Sequence, residues 1–297
     1  MKLKKIQFLL LCSLFIACSG DKKEIYQTTE SEIKEIRRND VVIDYHLIGK
    51  GDTTLLFVHG AFIDQSYWKE QVAYFSQHYL VITIDLPGHG KSGRNRKNWS
   101  MQAFADDVSE VINTLKLKNV ILIGHSMGGN INLITACQQS SPIIGFIGID
   151  NFKNAATPFP EVYKPTMDSI QKGLRNDFEN TNEKYVRLAL VTPQTPVDVT
   201  NRIVADFRHA YKPMVLDVMS KFFETYETER ALLPKLSYKL YLVNVNYFPT
   251  DEAPLKKYAG NGYEILRIQG TSHYPMIETP ELLNEAIQKA IIKIGTN

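Results

Sequence analysis

Short runs of aliphatic and β-branched residues alternate along this chain with longer stretches in which apolar residues recur every three or four positions. The first pattern predicts buried strands and the second predicts amphipathic helices. Strands that alternate with helices are typical of a mostly parallel sheet with helices on both faces, an α/β fold. The predicted strands are 41–48, 54–60, 79–85, 119–124, 143–150, 239–245 and 263–268.

The alternation stops between residues 151 and 234. This segment has no clear strand pattern, but it contains amphipathic helical stretches such as TNRIVADFRHAY and MVLDVMSKFFETY. Plain loops of that length are uncommon inside a compact domain. We therefore expect residues 33–150 and 235–297 to form one core domain, with residues 151–234 inserted as a helical lid.

The first seventeen residues have the layout of a secretory signal peptide, in which lysines precede an apolar run from Ile6 to Ala17. That run is short for a membrane span. The end of the run, FIAC followed by SGDKKE, resembles a bacterial lipoprotein signal. The resemblance implies cleavage before Cys18 and a lipid on its sulfur. An ordinary signal peptide cut nearby is the alternative, because Phe15 stands where lipoproteins usually carry leucine.

Lipidation at Cys18 would make residues 18–32, which are polar and charged, a tether between a membrane and the domain. The protein would then be anchored to a membrane of the cell envelope without spanning it. The protein would be exported and would lie on the periplasmic or cell-surface side of that membrane.

Charge and motifs exclude several classes of function. The chain has 34 lysines and arginines against 32 acidic residues, a net charge of +2 that becomes −1 without the three lysines of the signal peptide. Such a balance gives no basic stripe for a phosphate backbone, so nucleic acid is not an expected partner. The GxGxxG, GxxxxGK[ST], HExxH and paired CxxC motifs do not occur. We expect a small-molecule substrate and no cofactor or metal.

The segment ILIGHSMGGN contains a G-x-S-x-G motif from Gly124 to Gly128, between a predicted strand and a predicted helix. In that context the glycines permit a sharp, strained turn that points the serine hydroxyl into a cleft. We therefore interpret Ser126 as a nucleophile. The alternative is that Ser126 only caps the helix that begins near Met127.

A serine hydroxyl needs a base, an acid that orients the base, and donors for the oxyanion. In this strand-turn-helix arrangement the partners follow the serine in the order acid, then histidine. Only His209 and His273 follow Ser126. His209 falls inside a predicted lid helix, whereas His273 lies in a polar loop between the last strand and the final helix. The predicted base is His273.

Four segments together resemble the lid-bearing α/β-hydrolases, a family that includes esterases, carbon-carbon hydrolases and cofactor-free haloperoxidases. The segments are FVHGAF (57–62), DLPGHGKSG (85–93), GHSMGG (124–129) and GTSHYPMIETPELLNEAI (270–287). The resemblance covers the chain from about residue 40 to its end, apart from the lid. It implies the α/β-hydrolase fold and an oxyanion hole formed by the backbone N–H groups of Ala61 and Met127. The positive end of the helix that follows Ser126 would reinforce this hole.

The position of the acid in the sequence differs from the family pattern. Most relatives carry an aspartate a few residues after the seventh strand, where this chain has Tyr247 and Phe248. Asp251 follows, but it is better placed to cap a helix beginning TDEAPLKKY. Asp150 ends a strand at the edge where such sites gather. We predict Asp150 as the acid, with Asp251 as the alternative and a turn-capping role for Asp150 still open.

These residues predict a serine hydrolase that acts through an acyl-enzyme on a small or medium, partly apolar carboxylic ester. The same triad could serve carbon-carbon, lactone or amide hydrolysis or perhydrolysis, since a fold does not fix the reaction. A serine at the elbow argues against epoxide hydrolases and haloalkane dehalogenases of this fold, which use aspartate there. A non-catalytic binding module is the alternative from another class.

Overall fold

A computed structural model describes residues 32–139 and 141–295 of the chain. The predicted signal peptide, the lipidation site Cys18 and all but the last residue of the predicted tether lie outside the described residues. Within the described part, no helix is both long and apolar enough to cross a membrane.

Eight strands form one mostly parallel sheet in the order β1-β2-β4-β3-β5-β6-β7-β8. The β1–β2 and β2–β4 pairs are antiparallel, and the remaining pairs are parallel. The strands are β1 Glu32–Arg38, β2 Val41–Ile48, β3 Thr54–Val58, β4 Leu80–Ile84, β5 Val120–His125, β6 Ile143–Ile149, β7 Leu240–Val245 and β8 Tyr263–Ile268.

Helices cover both faces of the sheet, α2 with α3 on one face and α1 with α11 on the other. The α-helices are α1 Lys69–Phe75, α2 Met101–Thr114, α3 Met127–Gln138, α4 Lys164–Asn176, α5 Phe178–Tyr185, α6 Val197–His209, α7 Lys212–Lys221, α8 Thr225–Leu232, α9 Glu252–Tyr258, α10 Pro275–Glu278 and α11 Pro280–Gly295. A π-helical turn spans Val186–Leu190, and short 3₁₀ turns span Gln65–Trp68, Glu161–Tyr163, Phe222–Glu224 and Leu233–Lys235.

The core lies around the central parallel strands. Every residue of β3 and β5 is buried, as expected for strands covered on both faces, and this is why both read as continuous apolar runs in the sequence. Phe57 of β3 packs against Trp68 and Phe75, with ring centroids 5.1 and 6.2 Å apart. This packing fixes the strands whose carboxyl ends carry the candidate site.

The predicted α/β-hydrolase fold is confirmed, and each of the seven predicted strands matches a strand within about two residues at its ends. β1 was not predicted. Its sequence EIKEIRR is mostly charged and it pairs with β2 at the edge of the sheet, so little of it needs to be apolar. Because β1 starts at Glu32, the strand takes the last residue that we assigned to the tether.

The segment between β6 and β7, residues 151–234, is termed the lid segment. Its described residues form the helices α4 to α8 and the π-helical turn, and Val191 makes an isolated bridge with Ser272. Apolar side chains of α6 and α7, including Phe207 and Met214, are buried. The lid segment therefore has packing of its own and lies against the carboxyl ends of the strands.

Candidate active site

Ser126 stands alone between β5 and α3, with φ 50° and ψ −120°. A positive φ is a strained conformation for a residue with a side chain. Although Ser126 occupies the N-cap position of α3, its side chain makes no capping hydrogen bond. The hydroxyl is therefore not engaged by the helix, and Ser126 lines a cavity instead.

Gly124 and Gly128 make this sharp turn possible because neighbouring backbone atoms lie very close to both residues. A Cβ on Gly124 would lie 2.5 Å from the carbonyl oxygen of Gly128, and a Cβ on Gly128 would lie 2.3 Å from the carbonyl oxygen of Val58. Neither position has room for a larger residue. The G-x-S-x-G pattern thus reflects how closely β3, β5 and α3 approach one another.

His273 and Asp150 form a hydrogen-bonded pair beside Ser126. His273 Nδ1 lies 2.5 Å from Asp150 Oδ2, although 123 residues separate them in the chain. Since Nδ1 donates to the carboxylate, it is the other ring nitrogen, Nε2, that carries the lone pair in the neutral imidazole. His273, Asp150 and Ser126 line the same cavity.

The Asp150 side chain has no exposed surface and accepts several hydrogen bonds. Its Oδ1 accepts the Val245 N–H at 2.9 Å and lies 2.7 Å from Lys153 Nζ. Burial raises the pKa of the Asp150 carboxyl. The hydrogen bond from His273 and the charges of His273 and Lys153 outweigh burial, so the pKa lies below its ordinary value. Asp150 is therefore an ionised, fully paired carboxylate.

The two alternatives that the sequence left open lie elsewhere. Asp251 is exposed, and its carboxylate accepts the N–H of Ala253 at 3.0 Å as the N-cap of α9. His209 is exposed on α6, where its Nδ1 contacts the carbonyl oxygen of Ala205 one turn earlier. Of the candidates for acid and base, Asp150 and His273 are the ones that meet at the cavity.

His59 orients the first predicted oxyanion donor. His59 Nε2 accepts the Leu86 N–H at 3.0 Å, so its Nδ1 carries the proton and donates to the Gly60 carbonyl at 2.7 Å. In a trans peptide the C=O and the following N–H point in opposite directions. The Ala61 N–H therefore points away from His59. Ala61 and Met127 both line the cavity.

His125 supports the backbone of His273. Its Nε2 lies 2.7 Å from the His273 carbonyl oxygen, and the two ring centroids are 4.6 Å apart. Burial lowers the pKa of His125 well below its ordinary value, so the ring is neutral. The Nε2–H can then donate to the carbonyl and hold the loop that carries His273.

Hydrogen bonds to Glu278 and to the lid segment also hold the loop that carries His273. Glu278 accepts hydrogen bonds from the Thr271 N–H at 2.6 Å and from the Ser272 hydroxyl. The His273 N–H donates to the Leu190 carbonyl at 2.8 Å. The position of the imidazole thus depends on packing of the lid segment against the core.

Sequence reasoning missed Lys153. Its Nζ donates to the Val245 carbonyl at 2.9 Å and lies over the Tyr247 ring, 4.1 Å from the centroid, in addition to its contact with Asp150. Burial lowers the pKa of Lys153, and Asp150 partly restores it. A lysine three residues after an aspartate in a turn carries no recognisable pattern, so the sequence offered no signal.

Tyr247 occupies the place where most of the family carries its acid. Burial raises the pKa of the Tyr247 hydroxyl, and the nearby Asp150 carboxylate raises it further. A neutral tyrosine therefore faces the carboxylate that comes from β6. The carboxylate that contacts His273 therefore comes from the end of β6 and not from the segment after β7.

The cavity has a volume of about 330 Å³ and lies between the carboxyl ends of the strands and the lid segment. Its walls are largely apolar. The lid segment contributes Tyr185, Leu190, Phe207, Val218 and Met219. Asn130 and the buried carboxylate Glu229 also line it, and the sequence analysis identified neither.

Residues 55–286 match the family model described as the alpha/beta hydrolase family, which is more than three quarters of the chain. The chain belongs to this family. Its predicted resemblance to α/β-hydrolases is therefore confirmed, and the fold and the order of the motifs follow from this membership.

Among curated relatives, the chain is 41% identical over 90 residues to (E)-2-((N-methylformamido)methylene)succinate hydrolase from Acinetobacter baylyi, which is 30% of this chain and 34% of that protein. The chain thus spans about a third of the length of that relative. It is 22% identical over 254 residues to Karrikin insensitive 2 receptor IA from Petunia hybrida, covering 81% of this chain and 91% of the receptor.

A solved structure with the same fold is a thermophilic esterase from Thermogutta terrifontis. The TM-score is 0.74 at 22% identity, and the match covers 90% of this chain and 99% of the esterase. At this identity the likeness establishes the fold, while the reaction has to be argued from the site.

Proposed function

We propose that this protein is a serine hydrolase that cleaves small or medium, partly apolar carboxylic esters through an acyl-enzyme. One observation carries the proposal: the buried, ionised Asp150 holds Nδ1 of His273, and both line the same cavity as Ser126 on its strained turn. This is the relation between orienting acid, base and nucleophile that acyl transfer requires.

In the proposed reaction, Nε2 of His273 takes the proton of the Ser126 hydroxyl as its oxygen attacks the ester carbonyl. The imidazolium then gives that proton to the leaving alcohol, which departs as the acyl-enzyme forms. Water attacks the acyl-enzyme with His273 again as the base, and Ser126 regains its proton when the acid leaves. Asp150 stays ionised and stabilises the imidazolium.

The oxyanion of each tetrahedral intermediate would be bound by the backbone N–H groups of Ala61 and Met127. The His59 hydrogen bond to the Gly60 carbonyl supports the orientation of the Ala61 N–H before substrate arrives. Met127 begins α3, whose N-terminus favours negative charge. A preorganised donor of this kind contributes on the order of 3 kcal/mol to the transition state.

The small volume and the apolar lining of the cavity favour compact apolar substrates. A cavity of about 330 Å³ is at the small end of ligand sites, and apolar side chains of the lid segment line much of it. The test is a series of p-nitrophenyl esters of increasing acyl length. We expect kcat/KM to be highest for short and medium acyl chains, to fall for long chains, and to disappear in Ser126→Ala.

Lactone, amide and carbon-carbon hydrolysis and perhydrolysis use the same steps and are distinguished by adding such substrates to the series. A receptor-like binding module is the second candidate, favoured by the match over most of the length of the petunia receptor. Binding of an ester without turnover, at any pH between 5 and 9, would support that candidate and contradict a hydrolase.

For location, we propose that the chain is exported and anchored through a lipid on Cys18, as the FIAC–SGDKKE junction suggests. The test is the mass of the N-terminal peptide of protein expressed with its full leader in bacteria. A diacylglyceryl-modified Cys18 at the N-terminus supports the anchor. An unmodified N-terminus near this position indicates an ordinary signal peptide.

A further inference from the structure

A buried carboxylate in the lid segment faces the same cavity as Ser126. Glu229 lies on α8, is 8% exposed and lines the cavity. Its Oε1 accepts a hydrogen bond from Asn130 Nδ2 at 2.9 Å, and its Oε2 accepts the Ala156 N–H at 2.6 Å. Asn130 is in the first turn of α3, four residues after Ser126.

In the described part of the chain, Glu229 forms no ion pair with a lysine, arginine or histidine, and its partners are the neutral donors Asn130 and Ala156. The neighbouring Arg230 is turned away. Its Nε donates to the Ala156 carbonyl at 2.7 Å, and its guanidinium lies over the Tyr226 ring. Burial raises the pKa of Glu229 to about 7, so at pH 8 most molecules carry an uncompensated negative charge there.

A carboxylate has about four acceptor positions, and protein donors occupy two of those on Glu229. Much of the remaining lining of the cavity is apolar and includes Phe207 and Met219. Holding a charge in such surroundings is unfavourable unless a partner compensates for it. A positively charged N–H donor that entered the cavity would supply both the missing hydrogen bonds and the missing charge.

We propose that Glu229 forms a substrate subsite for a primary ammonium group, so that the preferred esters carry a terminal amine. This inference rests on the proposed ester hydrolysis at Ser126. Four residues along α3 correspond to about 6 Å, and the hydrogen bond from Asn130 adds 2.9 Å. An ester whose ammonium lies at the far end of a hexanoyl chain can therefore engage Ser126 and Glu229 together.

The competing explanation is that Glu229 only fastens the lid segment to α3, through Asn130 and Ala156. A fastening role affects all substrates alike, because it acts on the shape of the cavity. A subsite affects the charged substrate selectively. The two explanations are therefore distinguished by the ratio of kcat/KM for a charged ester to kcat/KM for a neutral ester, and not by the absolute activity of a variant.

The experiment compares methyl 6-aminohexanoate with its neutral isostere methyl heptanoate at pH 8, using a pH-stat to measure kcat/KM. The proteins are the wild type, Glu229→Gln and Glu224→Gln, the last being a matched control at an exposed glutamate just before α8. We expect the wild type and the control to prefer the amino ester at least tenfold. Glu229→Gln should lose at least tenfold of that preference, mainly through KM.

Equal effects of Glu229→Gln on both esters, or no preference for the amino ester in the wild type, would overturn the subsite. Failure of the underlying ester hydrolysis is recognised separately, because then neither ester is hydrolysed by any of the three proteins. Thermal unfolding of Glu229→Gln shows whether it is folded. If it is not, Glu229→Asp, which keeps the charge but shortens the reach, should shift the preference toward longer amino esters.

Discussion

Replacing Lys153 by methionine should move the acid limb of the pH–activity profile to higher pH. Lys153 Nζ lies 2.7 Å from one oxygen of Asp150, and His273 Nδ1 lies 2.5 Å from the other. The positive charge of Lys153 opposes protonation of the imidazole. Without it, the Asp150 charge acts on His273 alone and favours the charged imidazolium, which cannot act as a base.

The size of the shift follows from the distances. The two oxygens of a carboxylate are about 2.2 Å apart, so Lys153 Nζ and His273 Nδ1 are separated by at most about 7.4 Å. At an effective dielectric constant of about 20, two unit charges at this distance interact by about 2.2 kcal/mol. That corresponds to about 1.6 pH units. Both side chains are slightly exposed, which reduces the effect, and we expect a shift of about 1 to 2 units.

The other titratable groups around the His273 ring do not obscure the effect. Burial keeps each of them neutral near pH 7, since it lowers the pKa of the histidine and raises the pKa of the tyrosines. These groups include His125, Tyr185, Tyr247 and Tyr274. The Glu278 carboxylate, which accepts the Ser272 hydroxyl on the same loop, is the same in every protein compared. A difference between Lys153→Met and the wild type therefore reports the charge of Lys153.

The assay is kcat/KM for a p-nitrophenyl ester from pH 4.5 to 9. Lys153→Arg keeps the charge and should keep the wild-type limb, and Lys164→Met, at an exposed lysine of α4, is the matched control. The reasoning is refuted if Lys153→Met lowers activity by the same factor at every pH. That result would mean that Lys153 only supports the structure around the Val245 carbonyl.

The remaining predictions concern the acid, the turn and the lid. Asp150→Asn should lower kcat by about 10⁴-fold in the ester assay. Asp251→Asn should leave kcat within a few-fold and, through the α9 cap, reduce the unfolding free energy in urea by at most about 1 kcal/mol. A large loss of kcat in Asp251→Asn and a small one in Asp150→Asn would make Asp251 the acid. Gly128→Ala forces a Cβ to within 2.3 Å of the Val58 carbonyl oxygen, so we expect a lower melting temperature and loss of activity; wild-type values would show that the turn can relax. Burial raises the pKa of Glu229 from 4.5 to about 7, so between these pH values the folded protein binds more protons than the unfolded protein. As pH rises through this range, the unfolding free energy of the wild type, measured in urea, should therefore fall relative to that of Glu229→Gln by up to roughly 3 kcal/mol. A difference between the two proteins that does not change with pH would contradict the raised pKa.

The strands could be predicted from the sequence because central parallel strands are buried on both faces and read as unbroken apolar runs. TLLFV and VILIGH are examples. β1 could not, since an edge strand buries little and EIKEIRR resembles a polar tether. Its place is set by pairing with β2, a contact that composition does not record.

The candidate site divides in the same way. Ser126 and His273 stand in local motifs, so the sequence alone identified them as candidates. The sequence favoured Asp150 over Asp251 because Asp150 ends a strand, but it left Asp251 open, since the choice depends on which carboxylate meets His273 across more than twenty residues of chain. Lys153 escaped notice because a lysine three residues after an aspartate forms no recognisable pattern. Glu229 escaped notice because its partners, Asn130 and Ala156, lie far from it in the chain. Such contacts arise only once the lid segment packs on the core.

The central claim is that Ser126 is a nucleophile activated by His273 and Asp150. The most direct test is covalent labelling of the purified wild type with a fluorophosphonate, followed by peptide mass spectrometry, alongside Ser126→Ala, Asp150→Asn and Asp251→Asn. We predict a single adduct on Ser126 in the wild type and in Asp251→Asn, at least a hundredfold slower labelling in Asp150→Asn, and none in Ser126→Ala. An unlabelled Ser126 in folded wild-type protein, or equal labelling rates in Asp150→Asn and the wild type, would contradict the account.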